Sequence, residues 1–246
     1  MSKIIALIPA RGGSKGVPDK NIRRLAGRTL LEWSIAACLK SKHIERTIVT
    51  TDSEHYRDLA LSLGAEAPFL RPDEISQDHS QDIEFVLHAL DWFKENETEP
   101  DLIVQIRPTT PMRNPALIDA AIEAFQSALP NNATSLRSVH EMSESAYKTF
   151  EINDDGILAC VGSGSTALDS ANRARQQCPT TYFPNGYVDV LSTEFIRRTG
   201  LLNGNQVLPF LTPVSLEVDS EDDFQHIEYR VSREPELLNI LFDEAN

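Results

Sequence analysis

Ile4-Ile5-Ala6-Leu7-Ile8-Pro9-Ala10-Arg11-Gly12-Gly13-Ser14-Lys15-Gly16 decides how the rest of the chain is read. The apolar run from Ile4 to Ile8 has no polar face, as in a strand covered on both sides. Pro9 closes the run, and a glycine-rich loop carrying Arg11 and Lys15 follows at once. In an open parallel sheet, ligands bind beyond the carboxyl ends of the strands. Glycines there let backbone N–H groups close around phosphate oxygens, and the two cations add fixed positive charge. The spacing fits neither the dinucleotide G-x-G-x-x-G nor the P-loop G-x-x-x-x-G-K-[ST]. A tight surface turn is the plain alternative.

Working outward, strand-like and helix-like patterns alternate. Leu30, Leu31, Ser34, Ile35, Cys38 and Leu39 form a helical stripe. Arg46 to Thr51 is a β-branched strand, and Tyr56, Leu59, Ala60 and Leu63 mark a helix stopped by Gly64. Ala65 to Leu70 reads as a third strand and 71 to 82 as a polar loop. Ile83, Val86, Leu87, Leu90 and Phe93 give the clearest helical stripe, and Asp101 to Ile106 is a fourth strand. Asn114-Pro115 is a helix start, a cap followed by proline in the first turn, and Leu117 to Phe125 continues it. This alternation predicts a three-layer αβα fold, Rossmann-like, around a mostly parallel sheet. After about residue 134 the beat breaks. Thr134 to Val139, Lys148 to Ile152 and Ile157 to Val161 read as short strands of an irregular insertion. Residues 162 to 181 are poor in large apolar side chains. Gly186 to Leu191 and Val214 to Val218 read as strands, and Asp222 to Leu241 as a closing helix. The expectation is one domain over residues 1–246.

The 246 residues carry a net charge of −14, a surface that repels nucleic acid and anionic lipid. No apolar run approaches the roughly 20 residues that span a bilayer. The N-terminal run lacks a small-residue cleavage site. Cys38, Cys160 and Cys178 match no metal spacing, and their scatter predicts free thiols in a reducing cytoplasm. The charge is uneven. Residues 11 to 28 hold six basic side chains against Asp19 alone, a net of +5. Such a segment on an acidic protein suits a small, highly charged anion, or is a solvated basic loop.

Three further blocks can carry chemistry. Arg107-Pro108-Thr109-Thr110-Pro111-Met112-Arg113 ends the fourth strand as a stiff loop of hydroxyls and arginines, fit for a ribose, a base or a carboxylate. Ser215-Leu216-Glu217-Val218-Asp219 sets Glu217 and Asp219 two apart, hence on one face of a strand. Paired carboxylates repel unless a cation lies between them, and a hard divalent ion bound to phosphates supplies that charge. An acid-rich helix start at Ser220 is the alternative. Arg175-Gln176-Gln177 and Phe183-Pro184-Asn185-Gly186-Tyr187-Val188-Asp189 read as loops over a polyhydroxylated ligand, or as ordinary turns. No histidine falls in any of these blocks.

In this order the blocks resemble the acylneuraminate cytidylyltransferases. Ala10 to Asn21 is similar to that family's A-R-x-x-S-K-G-x-x-x-K-N, Leu70-Arg71-Pro72 to its L-R-P, and Arg107 to Arg113 to Q-P-T-S-P-L-R. Arg175-Gln176 and Asn185-Gly186 are similar to its R-Q-x and N-G, and Ser215 to Asp219 to S-I-D-I-D. Glu217 stands for an Asp, Arg107 for a Gln and Asp189 for a Tyr. Glu217 still offers an oxygen ligand, and Gln105 to Pro111 and Asn185 to Val190 look more like the branch that serves legionaminic acid-like nonulosonic acids. The resemblance implies a nucleotidyltransferase that joins CMP from CTP to an acidic nine-carbon sugar. It implies catalytic roles for Arg11, Lys20 and Asp219. Ala10, Arg11, Gly12, Gly13, Ser14, Lys15, Lys20, Asn21, Arg71, Ser80, Pro108 and Thr109 are expected at the nucleotide. Arg107, Arg113, Arg175, Gln176, Asn185, Gly186 and Asp189 are expected at the sugar, and Glu217 and Asp219 at Mg²⁺, with Mn²⁺ as a substitute. It also implies a homodimer built through an insertion at about 137–180. The rival readings are use of GTP, activation of a Kdo-like acid or a sugar 1-phosphate, and a non-catalytic nucleotide-sugar binder.

Overall fold

Successive residues of a strand face opposite ways, so a wholly apolar strand needs cover on both sides. The computed structural model describes residues 2–13, 17–172 and 174–242, apart from the side chains of Ser170 and Arg175. In it β1 (Ile4–Pro9) sends Ile4, Ala6 and Ile8 into one apolar layer and Ile5 and Leu7 into another.

The chain then makes a short hairpin, β2 (Arg24–Leu25) and β3 (Arg28–Thr29), before α1 (Leu30–Leu39), β4 (Arg46–Thr50) and α2 (Glu54–Ser62). Next come α3 (Asp82–Asn96), β5 (Leu102–Gln105) and α4 (Pro115–Ala128). The cap expected of Asn114 is present, its side chain accepting from the Ala116 amide at 3.0 Å. β6 (Ser135–Glu141), β7 (Phe150–Ile152), β8 (Leu158–Cys160) and β9 (Tyr182–Ser192) follow. α5 (Thr193–Thr199), β10 (Val207–Leu211), α6 (Glu221–Arg233) and α7 (Pro235–Phe242) complete the chain.

The main sheet has the order β10-β6-β9-β5-β1-β4. β1 lies parallel to β4 and β5, and β10 parallel to β6. Only β9 runs against its neighbours, antiparallel to both β5 and β6. Buried residues of α1, α2, α4, α6 and α7 pack on one face of the sheet, and those of α3 and α5 on the other, giving the expected three layers. Trp33 anchors the first face. Its indole donates to the Leu25 carbonyl at 3.0 Å, and its ring meets Phe242 edge-on. No helix among the described residues is long and apolar enough to cross a membrane.

Four expectations need correction. Ala65 to Leu70 is not a strand: Glu66 alone bridges to Ile48, and Pro68 has no N–H with which to extend the ladder. Val214 to Val218 is no strand and pairs with none in the sheet, and the Val218 amide donates to the Thr109 carbonyl at 2.7 Å. The outer strand is instead β10, where Pro209 is tolerated because the strand lies at an edge. The closing helix is two helices, parted at Glu234–Pro235, since a proline cannot continue an α-helix from within. β6 belongs to the main sheet, so of the three short strands expected in the insertion just two, β7 and β8, form a sheet apart from it.

Candidate active site

At the sheet edge where β1, β4 and β5 end, a cavity of about 440 Å³ opens. Ten of the residues singled out in the sequence line it: Arg11, Lys20, Asn21, Arg71, Ser80, Arg107, Pro108, Thr109, Glu217 and Asp219. They arrive from five separate segments. The fold joins them because the loops after β1 and β5 leave the same edge, and the unpaired run before α6 crosses that edge.

The loop after β1 is fastened to its neighbours. The Ala10 amide donates to the Thr50 carbonyl at 3.0 Å, and the Gly12 amide to Asp52 Oδ1 at 2.7 Å. Gly13 has φ +68°, a left-handed conformation that favours glycine. Buried Asn21 donates to the Arg11 carbonyl at 3.0 Å and so holds the loop's shape. Arg11 donates to Asp78 Oδ1 at 2.7 Å. Ser14 and Lys15 lie outside the described residues. The basic segment 11–28 is not a single anion-binding patch. Arg23 pairs with Glu221 and stacks on Phe224, Arg24 holds the Gly27 carbonyl, and Arg28 pairs with Glu32.

Lys20 Nζ donates to the Val218 carbonyl at 2.7 Å and to Asp219 Oδ1 at 3.0 Å. Glu217 Oε1 accepts from Thr109 Oγ1 at 2.8 Å. Both carboxylates therefore face the cavity although their segment is no strand. Arg71 is buried over the Phe85 ring, with one terminal N–H on the Thr50 carbonyl and Nε lacking a partner among the described residues. Burial lowers its pKa from the usual arginine value. Arg107 donates to Asp189 Oδ2 at 2.8 Å and to Asp82 Oδ2. Burial works against the Arg107 charge, but Asp189 and Asp82 outweigh it and raise its pKa.

Other expected contacts fall elsewhere. Arg113 is wholly buried and does not reach the cavity: its guanidinium donates to the Tyr187, Arg107 and Gly186 carbonyls and to Ser34 Oγ. Asn185 is buried too, donating to Thr212 Oγ1 at 2.7 Å. Asp189 sits behind Arg107, 5% exposed. Gly186 is a packing requirement, because at φ +61° a Cβ would stand 3.2 Å from Thr110 Oγ1 and 3.6 Å from Arg107 Cδ. Gln176 lines a separate hollow with Glu141, Ser145 and Cys178. The Arg175 side chain lies outside the described residues. The reading of the sequence missed Gln77, Asp78, Asp82 and Phe85, all on the cavity wall. Asp82 carried a signal: it stands just ahead of the clearest helical stripe, where a first-turn acid belongs.

Among the described residues no group of three or more His, Cys, Asp or Glu is arranged to hold a metal ion. Glu217 and Asp219 are still two hard oxygen donors on one cavity. That fits Mg²⁺, which keeps several waters and takes one or two carboxylates besides substrate phosphates. No histidine or cysteine lines the cavity, so nothing on its described wall is a ready thiol or imidazole nucleophile.

Comparison with known proteins gives one family model, described as Cytidylyltransferase, matching residues 5–154. An N-acylneuraminate cytidylyltransferase of Escherichia coli is 31% identical over 226 residues, 91% of this chain and 51% of that protein. A CMP-N,N'-diacetyllegionaminic acid synthase of Legionella pneumophila is 40% identical over 121 residues, 49% of this chain and 52% of that protein. The alignments span about half the length of these curated relatives. A solved structure of CMP:2-keto-3-deoxy-manno-octonic acid synthetase complexed with CTP superposes with a TM-score of 0.70, covering 95% of this chain and 100% of that one. At 14% identity this likeness shows the shared fold.

Proposed function

Because the chain belongs to the cytidylyltransferase family, we propose that it transfers CMP from CTP to the anomeric hydroxyl of a sialic-acid-like nonulosonic sugar, releasing pyrophosphate. One observation carries the reading. Lys20 and Asp219, 199 positions apart, meet at 3.0 Å on a cavity wall that also presents Arg11, Asn21, Arg71 and Glu217. Basic groups for a triphosphate and hard carboxylates for its cation thus share one space.

In-line displacement at phosphorus needs placement and charge neutralisation more than covalent help. Arg11, Lys20 and the loop amides hold the β- and γ-phosphates, with Lys15 assigned to the same task by its place in the motif. Glu217 and Asp219 would hold a divalent ion, which would supply neutralisation of charge at the α-phosphate and a lower pKa for the attacking hydroxyl. Lys20, 3.0 Å from Asp219 Oδ1, is the cation placed to exchange that carboxylate for a phosphate oxygen. Asn21, Arg71, Ser80, Pro108 and Thr109 border the nucleoside, and the Arg107 end of the cavity receives the sugar. The similarity to the Legionella protein favours a legionaminic acid-like acceptor. A second copy of the chain completes the sugar side: Ile152 is 73% exposed and Ile157 54%, with Phe150 and Leu158 beside them on the β7–β8 hairpin.

A matrix of nucleoside triphosphates against Kdo, neuraminic, legionaminic and pseudaminic acids, with Mg²⁺ or with chelator, tests this through pyrophosphate release. The expected result is metal-dependent release with CTP and a nonulosonic acid. Release with GTP alone, or with a sugar 1-phosphate alone, refutes it.

A further inference from the structure

An arginine that clamps a ligand carboxylate needs a charge not already answered by the protein. Arg107 is answered twice, by Asp189 at 2.8 Å on one side and by Asp82 on the other. The guanidinium with these two carboxylates carries a net charge of −1. Arg137, with its Nε 3.9 Å from Asp189 Oδ1, brings the group to neutrality. Asp82 is itself fixed. It occupies the first turn of α3, and its Oδ2 also accepts from Gln105 Nε2 at 2.8 Å. Asp189 is 5% exposed and belongs to the interior, whereas Asp82 is 37% exposed and stands on the cavity wall beside Arg107. A ligand carboxylate brought to Arg107 would meet Asp82 first.

We propose that Asp82 is a positioning residue for the acceptor. Together with Asp189 it holds the guanidinium in one plane and cancels its charge. Arg107 then offers its remaining N–H groups to an uncharged oxygen of the sugar, a hydroxyl or an amide carbonyl. The acceptor's own carboxylate is directed away from this end of the cavity, toward cations nearer the phosphate loop. This assignment rests on the cytidylyl-transfer reading and names the part of the cavity that selects the acceptor.

The test is a double-mutant cycle on Asp82→Asn and Arg107→Gln. Pyrophosphate release is measured with the acceptor varied at saturating CTP, then with CTP varied at saturating acceptor. Asp82→Asn is expected to raise the acceptor KM about tenfold, the size of one well-placed hydrogen bond, while the CTP KM stays within about twofold. In the Arg107→Gln background the same change is expected to move the acceptor KM by less than about twofold, because a residue acting through another has nothing left to act through. Asp82→Glu keeps the carboxylate and recovers part of the loss. A merely structural role would raise both KM values together or lower kcat alone, and either result overturns the assignment, as do additive effects. Should Asp82→Asn not fold, Asp82→Ser replaces it in the cycle. An active wild type with an additive cycle sinks this assignment alone. A wild type that releases pyrophosphate with no acidic sugar sinks the transfer reading and this assignment with it.

Discussion

Lys20 and Arg113 are both cations drawn from conspicuous motifs, and burial separates their roles. Lys20 has one side-chain partner, Asp219, and lies on the cavity wall. Lys20→Ala and Asp219→Ala are each expected to lower pyrophosphate release by about 100-fold or more, as when one preorganised charge is removed from a transition state. Unchanged far-ultraviolet circular dichroism in both variants would assign the loss to chemistry, and full activity in either would remove that residue from the site. Arg113 instead ties β9 and the loop after β5 together through three backbone carbonyls. Arg113→Ala takes this donor from the Tyr187 and Gly186 carbonyls, while the Arg107 carbonyl keeps the Thr110 amide, at a cost of roughly 2 kcal/mol or more. The urea midpoint is expected to fall accordingly, and an unmoved midpoint contradicts the structural role. A motif shows which side chains are special. It cannot tell a ligand contact from a brace, because both choose arginine for its several donors.

Elements were legible where one side chain pattern sufficed and obscure where a partner decided. The stripe of α3 and the Asn114-Pro115 start of α4 are local signals, and both helices stand where the sequence puts them. Ala65 to Leu70 has strand-like composition, but a strand needs a ladder, and Pro68 interrupts it. Glu66 is held by backbone bonds to Thr47 and Val49 and by Arg46 of β4, whose Nε donates to Glu66 Oε1 at 2.8 Å. That hydrogen bond is the largest cause of the lowered Glu66 pKa. A carboxylate whose folded pKa lies below its unfolded one stabilises the fold above the unfolded value and loses that contribution as pH falls through the folded value. Glu66→Gln is therefore expected to flatten the decline in urea midpoint below about pH 4.5. An identical pH profile in variant and wild type refutes the pairing. At the start of α6, Ser220 Oγ accepts from the Asp223 amide while the Asp223 carboxylate accepts from the Ser220 amide. Ser220→Ala is expected to cost about 1 kcal/mol in chemical unfolding. It should also raise the requirement for Mg²⁺ in turnover, since the neighbouring Asp219 amide bonds the same carboxylate.

At the scale of the molecule, the sheet order turns a scattered set of residues into one site. The sequence foretold a parallel sheet, and from that alone the loops after β1 and β5 had to share an edge. It did not foretell β9, whose reversed direction brings Asp189 opposite Gln105. Reversal of a strand depends on which neighbours it finds, and no periodicity within the strand records that. The proposed pairing of two chains is tested here as well. Ile152→Asp with Ile157→Asp is expected to convert a dimer into a monomer in sedimentation, and a wild type already monomeric at assay concentration rejects the pairing. β9 has one more consequence. It begins at Tyr182, against the last residues of β6, and ends at Ser192, with its register against β6 slipping between Arg137 and Val139. That slip is a natural seam. On the far side lie the β7–β8 hairpin and the first residues of β9, paired with Val139 to Glu141 of β6, and on the near side lies Asp189, opposite Arg137 and Gln105. A chimera that takes the far side from a relative would inherit a foreign pairing surface and, with it, whatever the second copy adds to the sugar side, so partner choice and sugar choice would be inherited together.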